Sequence, residues 1–62
     1  MNLYIREGRK KTTLQFASTD PDQLLESARQ YAKARGKIIR DFDVRYSMGG
    51  SRRPLACHAT IS

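Results

Sequence analysis

Three groups of residues in this sequence are of types that do chemistry. Cys57 and His58 are a thiol beside an imidazole, the pair from which a nucleophile and its base are built. Asp41 and Asp43, two residues apart, have the carboxylates to share a divalent cation. In "EGRKKTT", residues 7–13, Arg9, Lys10 and Lys11 follow a glycine in a row, and such side chains neutralise phosphate. What each group can do depends on the elements that carry it.

Residues 2–7 alternate, with Leu3 and Ile5 on one side and Tyr4 and Arg6 on the other. Residues 11–18 alternate likewise, Leu14 and Phe16 against Thr13, Gln15 and Ala17. A period of two is that of a half-buried strand. Gly8 can supply the positive φ of a tight turn, so residues 2–18 predict a hairpin with its tip at Gly8 to Lys10. In "STDPDQLLESARQYAKARGK" the period changes. Asp20 is placed as an N-cap, Pro21 stands at the first helical position, and Gln23 has capping-box spacing. Leu24, Ala28, Tyr31, Ala32 and Arg35 form an amphipathic stripe, and Gly36 sits where a left-handed C-cap belongs. These features predict a helix over about 21–35.

Phe42, Val44, Tyr46 and Met48 then alternate with Asp41, Asp43, Arg45 and Ser47. After the turn-forming "GGSRRP", Leu55, Cys57, Ala59 and Ile61 alternate with Pro54, Ala56, His58 and Thr60. Arg40 breaks the third strand's pattern, because unbroken alternation from Ile38 puts it on the apolar side. A bulge there, or a strand start beyond the core edge, resolves the conflict. The expected fold class is α+β in one domain, 1–62. Its order is ββαββ, a four-stranded antiparallel sheet with one helix packed on one face. Strand orders 2-1-3-4 and 1-2-4-3 both satisfy the connections. The opposite face would show Tyr4, Arg6, Thr13, Gln15, Asp41, Asp43, Arg45, His58 and Thr60.

That frame decides most of the chemistry. Neighbours on a strand point to opposite faces, so Cys57 and His58 cannot meet as nucleophile and base. Cys57 reads as a small buried hydrophobe. Asp41 and Asp43 share a face, where pairing with Arg45 or Arg6 competes with any cation. One cysteine and one histidine make neither a disulfide nor a zinc site. "MGGSRRP" lacks P-loop spacing and a following helix. No acid, base and nucleophile converge, so the expectation is no enzyme, no catalytic residue, no metal and no small-molecule cofactor. Tyr4 on the open face has a ring on which a base could stack. Sheet-based RNA readers use two or three aromatics, however, and Phe16, Phe42 and Tyr46 go with the buried set.

Charge carries the rest. Twelve Lys and Arg against six Asp and Glu leave +6 on 62 residues, a balance that favours a polyanionic partner. If strand one runs up, its turn lies at the top, the helix climbs from the bottom, and strand three begins at the top. Arg9, Lys10 and Lys11 then share one pole with Lys33, Arg35 and Lys37, facing only Glu7 locally. Arg52 and Arg53 fall at the opposite pole with Asp20, Asp22 and Glu26. Cations at a helix C-terminus complement its dipole, which accounts for Lys33 and Arg35 and extends to Lys37, but not for a second basic triplet directed to the same place.

The expected function is therefore a nucleic-acid-binding accessory or regulatory protein, on DNA or RNA, that grips phosphates through this pole with Arg52 and Arg53 auxiliary. The alternative is a protein-interaction module, an inhibitor or homodimer, using an edge strand or the polar face through Tyr4, Arg6, Arg45 and His58. The lone cysteine, the absence of a ~20-residue apolar stretch and an N-terminus unlike a signal peptide point to a cytoplasmic protein without a membrane partner. Size, charge and the lack of catalytic apparatus together suit a small bacterial, phage or plasmid accessory protein.

Overall fold

The structure is a computed structural model and describes residues 1–48 and 53–62; Arg52 lies outside the described residues. Local rules place most of the elements. β1 (Asn2–Glu7) and β2 (Lys10–Gln15) are joined by the two-residue loop Gly8–Arg9. Gly8 takes φ +58° while no described non-glycine residue has a positive φ, the combination of a type II′ hairpin turn, whose twist matches that of its strands. Strand two stops at Gln15, short of the expected 18. Beyond it Phe16 still exchanges two hydrogen bonds with Met1, the next pair in the same register, with the Met1 amino group donating to the Phe16 carbonyl at 2.7 Å.

Helix α1 (Pro21–Ala34) begins at Asp20, whose Oδ1 accepts from the Asp22 N–H at 3.0 Å. Its carbonyl accepts from Gln23 and Leu24. The anticipated capping box does not close. Ser18 Oγ accepts the Asp20 N–H at 3.1 Å, leaving the Gln23 side chain nothing to do there. At the other end Gly36, with φ +68°, donates to the Lys33 carbonyl at 3.0 Å, and Lys37 donates to Ala32 at 2.8 Å. This pair of bonds is the Schellman arrangement. A Cβ on Gly36 would meet nothing within 4 Å, so Gly36→Ala carries only the left-handed backbone penalty. The expected loss is about 1–2 kcal/mol, read from the urea midpoint.

β3 (Ile39–Tyr46) and β4 (Pro54–Ile61) complete one four-stranded sheet. The sheet is mixed, not antiparallel throughout, and its order is β2-β1-β4-β3, neither of the two expected. β1 and β4 lie parallel at its centre, with Leu3 opposite Cys57 and Ile5 opposite Ala59. Burial explains the choice. Leu3, Ile5, Cys57, Ala59 and Ile61 are all buried under Leu24, Ala28 and Ala32 of the helix. The strands richest in small and aliphatic core residues thus take the middle. β2, with Lys10 and Lys11, and β3, with Asp41, Asp43 and Arg45, become charged edges, where charge discourages pairing with another chain. The chain between β1 and β4 is long enough for the crossover that parallel pairing needs.

The conflict at Arg40 resolves as a bulge. Ile39 pairs with Ile61 and Asp41 with Thr60, so two steps on β3 match one on β4 and Arg40 is left out of the register. Its Nε donates to Ser62 Oγ at 2.8 Å. Phe42, Val44, Phe16 and Tyr31 pack half-buried against the core. Tyr46, Met48 and Leu55 do not join it, being 50%, 101% and 59% exposed. β1 reaches down β4 only as far as Ala56, and the β3–β4 register slips a second time from Arg45–Ala56 to Tyr46–Pro54, which leaves Leu55 without a position opposite β3. No described helix is long and apolar enough to cross a membrane.

Candidate functional site

The hairpin register sorts the cations around the first turn. Glu7 lies opposite Lys10 and Arg6 opposite Lys11. Alternation sends Glu7 to the helix side of the sheet and Arg6 and Lys11 to the open side. On the helix side, Glu7 Oε1 is 2.7 Å from Arg35 Nη2 and also accepts from Arg35 Nε at 2.9 Å, while Oε2 lies 3.4 Å from Lys37 Nζ. The Arg35 guanidinium stands 5.5 Å from the centre of the Tyr31 ring, within cation–π range. Lys10 and the helix C-terminus therefore flank one carboxylate, which brings the basic triplet and the residues 33–37 group to a single pole.

Glu7 also divides that pole. Arg35 and Lys37 are engaged by it, whereas Arg9, Lys10, Lys11 and Lys33 are exposed and have no ion-pair partner among the described residues. The hydrogen bond from Arg35, followed by that from Lys37, holds the Glu7 carboxyl below its ordinary value of 4.5 despite the opposing effect of burial. A depressed carboxylate pKa stabilises the fold fully above the ordinary carboxylate range, and that contribution disappears as pH falls through the lowered value. Glu7→Gln is expected to lower the urea midpoint at pH 7 and to flatten its decline between pH 7 and pH 3. Both differences should shrink in 1 M salt.

The open face is organised in rows. One row reads Thr13, Tyr4, His58 and Asp43 across β2, β1, β4 and β3; the next reads Lys11, Arg6, Thr60 and Asp41. Tyr4 and His58 stack, with ring centroids 4.9 Å apart and planes at 25°. Asn2 Nδ2 donates to Tyr4 Oη at 3.2 Å, and Arg6 Nε donates to the Gly8 carbonyl at 3.4 Å. Between the two rows lies an open depression of about 430 Å³, lined by Tyr4, Arg6, Lys11, Thr13, His58 and Thr60. Charge runs across the face, positive on β1 and β2 and negative on β3. Asp43 pairs along its own strand with Arg45, Oδ2 to Nε 3.1 Å, both well exposed.

Of the residues singled out in the sequence, Arg53 lies away from this region. It is exposed at the far end of the β3–β4 hairpin, where its carbonyl accepts from the Ser47 N–H at 2.9 Å and its N–H donates to Ser47 Oγ at 3.3 Å. Cys57 is buried and His58 exposed on the other face, so no thiol–imidazole pair is assembled. Burial raises the Cys57 thiol above its ordinary value. Among the described residues no group of three His, Cys, Asp or Glu is gathered as a metal site.

The sequence reading missed two features. The Arg6–Lys11 pair was implicit in the Gly8 turn, because a two-residue loop fixes the register of everything below it. The Tyr4–His58 stack depends on the parallel β1–β4 register, for which no nearby residue gives a signal. Compared with protein-family models, curated proteins and solved structures, the chain matches none of them.

Proposed function

We propose that this protein binds nucleic acid, DNA or RNA, by phosphate contacts from its cationic pole, acting as an accessory or regulatory factor in the cytoplasm without catalysing a reaction. What supports the reading is one observation. Arg9, Lys10, Lys11 and Lys33 stand exposed, with no ion-pair partner among the described residues, at the pole where Glu7 is already occupied by Arg35 and Lys37. Like charges so placed are mildly unfavourable in isolation, and a phosphate backbone relieves the repulsion while releasing counterions. Binding by such contacts tolerates sequence and falls steeply with salt. Fluorescence anisotropy with a labelled oligonucleotide from 25 to 300 mM salt tests it. No binding at 25 mM removes the proposal.

The exposed Tyr46, Met48 and Leu55 favour a second reading, contact with another protein or a second copy through the lower end of the β3–β4 hairpin. It calls for a defined complex or dimer in light scattering, insensitive to nuclease and abolished by Met48→Ser with Leu55→Ser.

A further inference from the structure

We infer that the depression on the open face takes an unpaired nucleotide, so that the protein prefers single strands to duplex. The inference rests on the nucleic-acid reading and names the substrate class within it. Tyr4 alone is an ordinary exposed tyrosine. His58 changes its meaning, since stacking at 4.9 Å creates a two-ring ridge across the central strands. The next row of the same face presents Arg6 and Lys11 side by side with Thr60 beyond Arg6, while Thr13 lies beside Tyr4 in the first row. Rows two residues apart on a strand stand roughly 7 Å from one another, room for one flat ring in van der Waals contact on both sides. The depression falls within the ~300–1,000 Å³ of small-ligand sites.

The chemistry of its walls selects the occupant. A nucleobase offers a π face to the Tyr4 ring, whose other face His58 supports, its own phosphate reaches Arg6 and Lys11, and the threonine hydroxyls can bond either. Asp41 and Asp43 repel a backbone from the β3 side. A bound strand is therefore directed over β1 and β2, toward Arg9 and Lys10 at the turn. A duplex hides its base faces in the stack and can use only the phosphate contacts, whereas a single strand can splay a base onto the ridge.

The test compares three 12-mers at 50 mM salt, a pyrimidine single strand, its duplex, and an abasic strand with the same number of phosphates, each as DNA and as RNA. Base stacking on an aromatic ring predicts that the unmodified protein binds the single strand about 5- to 150-fold more tightly than the abasic strand. Tyr4→Leu should erase that preference while leaving duplex binding and its salt dependence unchanged, and Tyr4→Phe should keep it. His58→Ala is the second variant should Tyr4→Leu lose its thermal transition. Equal affinity for the base-bearing and abasic strands overturns this inference and leaves the phosphate reading standing. If no oligonucleotide binds, both fall, and a protein occupant of the face is then sought by light scattering.

Discussion

With Arg9, Lys10 and Lys11 all replaced by alanine, the plot of log affinity against log salt is expected to flatten by about 2–3 units. Each phosphate contact contributes roughly 0.9 to that slope on duplex and 0.7 on single strands, and three are removed. Between 50 and 200 mM salt the unmodified protein should then lose about 20- to 40-fold more affinity than the variant does. The three side chains are exposed and make no ion pair among the described residues, so their removal should leave the fold intact. Arg35→Ala would be a poorer probe of the same pole. It also strips Glu7 of its closest partner at 2.7 Å and takes the cation from Tyr31, so stability and binding would change together. Arg53→Ala, at the opposite end, is expected to move the slope by less than a single contact. An unchanged slope in the triple variant would place the binding surface elsewhere.

That pole could be located before any coordinates, and the reason is physical. A helix start at Asp20–Pro21, a stop at Gly36 and a turn at Gly8 are decided by one or two residues each, through capping, fixed φ and positive φ. Together they set the direction in which each strand and the helix run. Arg40 was legible in part, because a misfit in an alternating pattern calls for a bulge or a late strand start, and the register shows the bulge.

Strand order is another kind of quantity. It depends on which hairpin edges bury most under the helix, a comparison over the whole sheet, and the parallel β1–β4 junction emerged from it. Everything that hangs on that junction was hidden with it. Tyr4 meets His58 only there. Alternation marked Tyr46, Met48 and Leu55 as core because a pattern shows neither the register slip between Arg45 and Tyr46 nor how far along the strands the helix layer reaches.

The junction itself can be tested through Leu3 and Cys57. Leu3 is fully buried between Leu14 on one side and Cys57 on the other. Leu3→Ala removes a core side chain at a cost of about 2–5 kcal/mol, against a total stability of roughly 3–9 kcal/mol for a chain of this length. The variant should unfold at a clearly lower urea midpoint than the unmodified protein. Cys57 reports this directly, since its thiol is sealed in the core and burial raises its pKa, so reagent reaches it through opening of the sheet. Under conditions where reclosing outruns labelling, the rate follows the open population, and Leu3→Ala should speed modification of Cys57 by about 30- to 5,000-fold. Leu14→Ala, on an edge strand and only half-buried, should have a distinctly smaller effect. The order of the two is diagnostic. With β2 central instead of β1, Leu14 would be the costlier loss and Leu3 the cheap one. The order 2-1-3-4 would keep Leu3 central but put Cys57 on an edge strand, and the β4 amides would then exchange with solvent ahead of those in β3. Slowest exchange in β1 and β4 together, with Leu3 dominant, belongs to the parallel centre, and it is that centre which holds Tyr4 against His58.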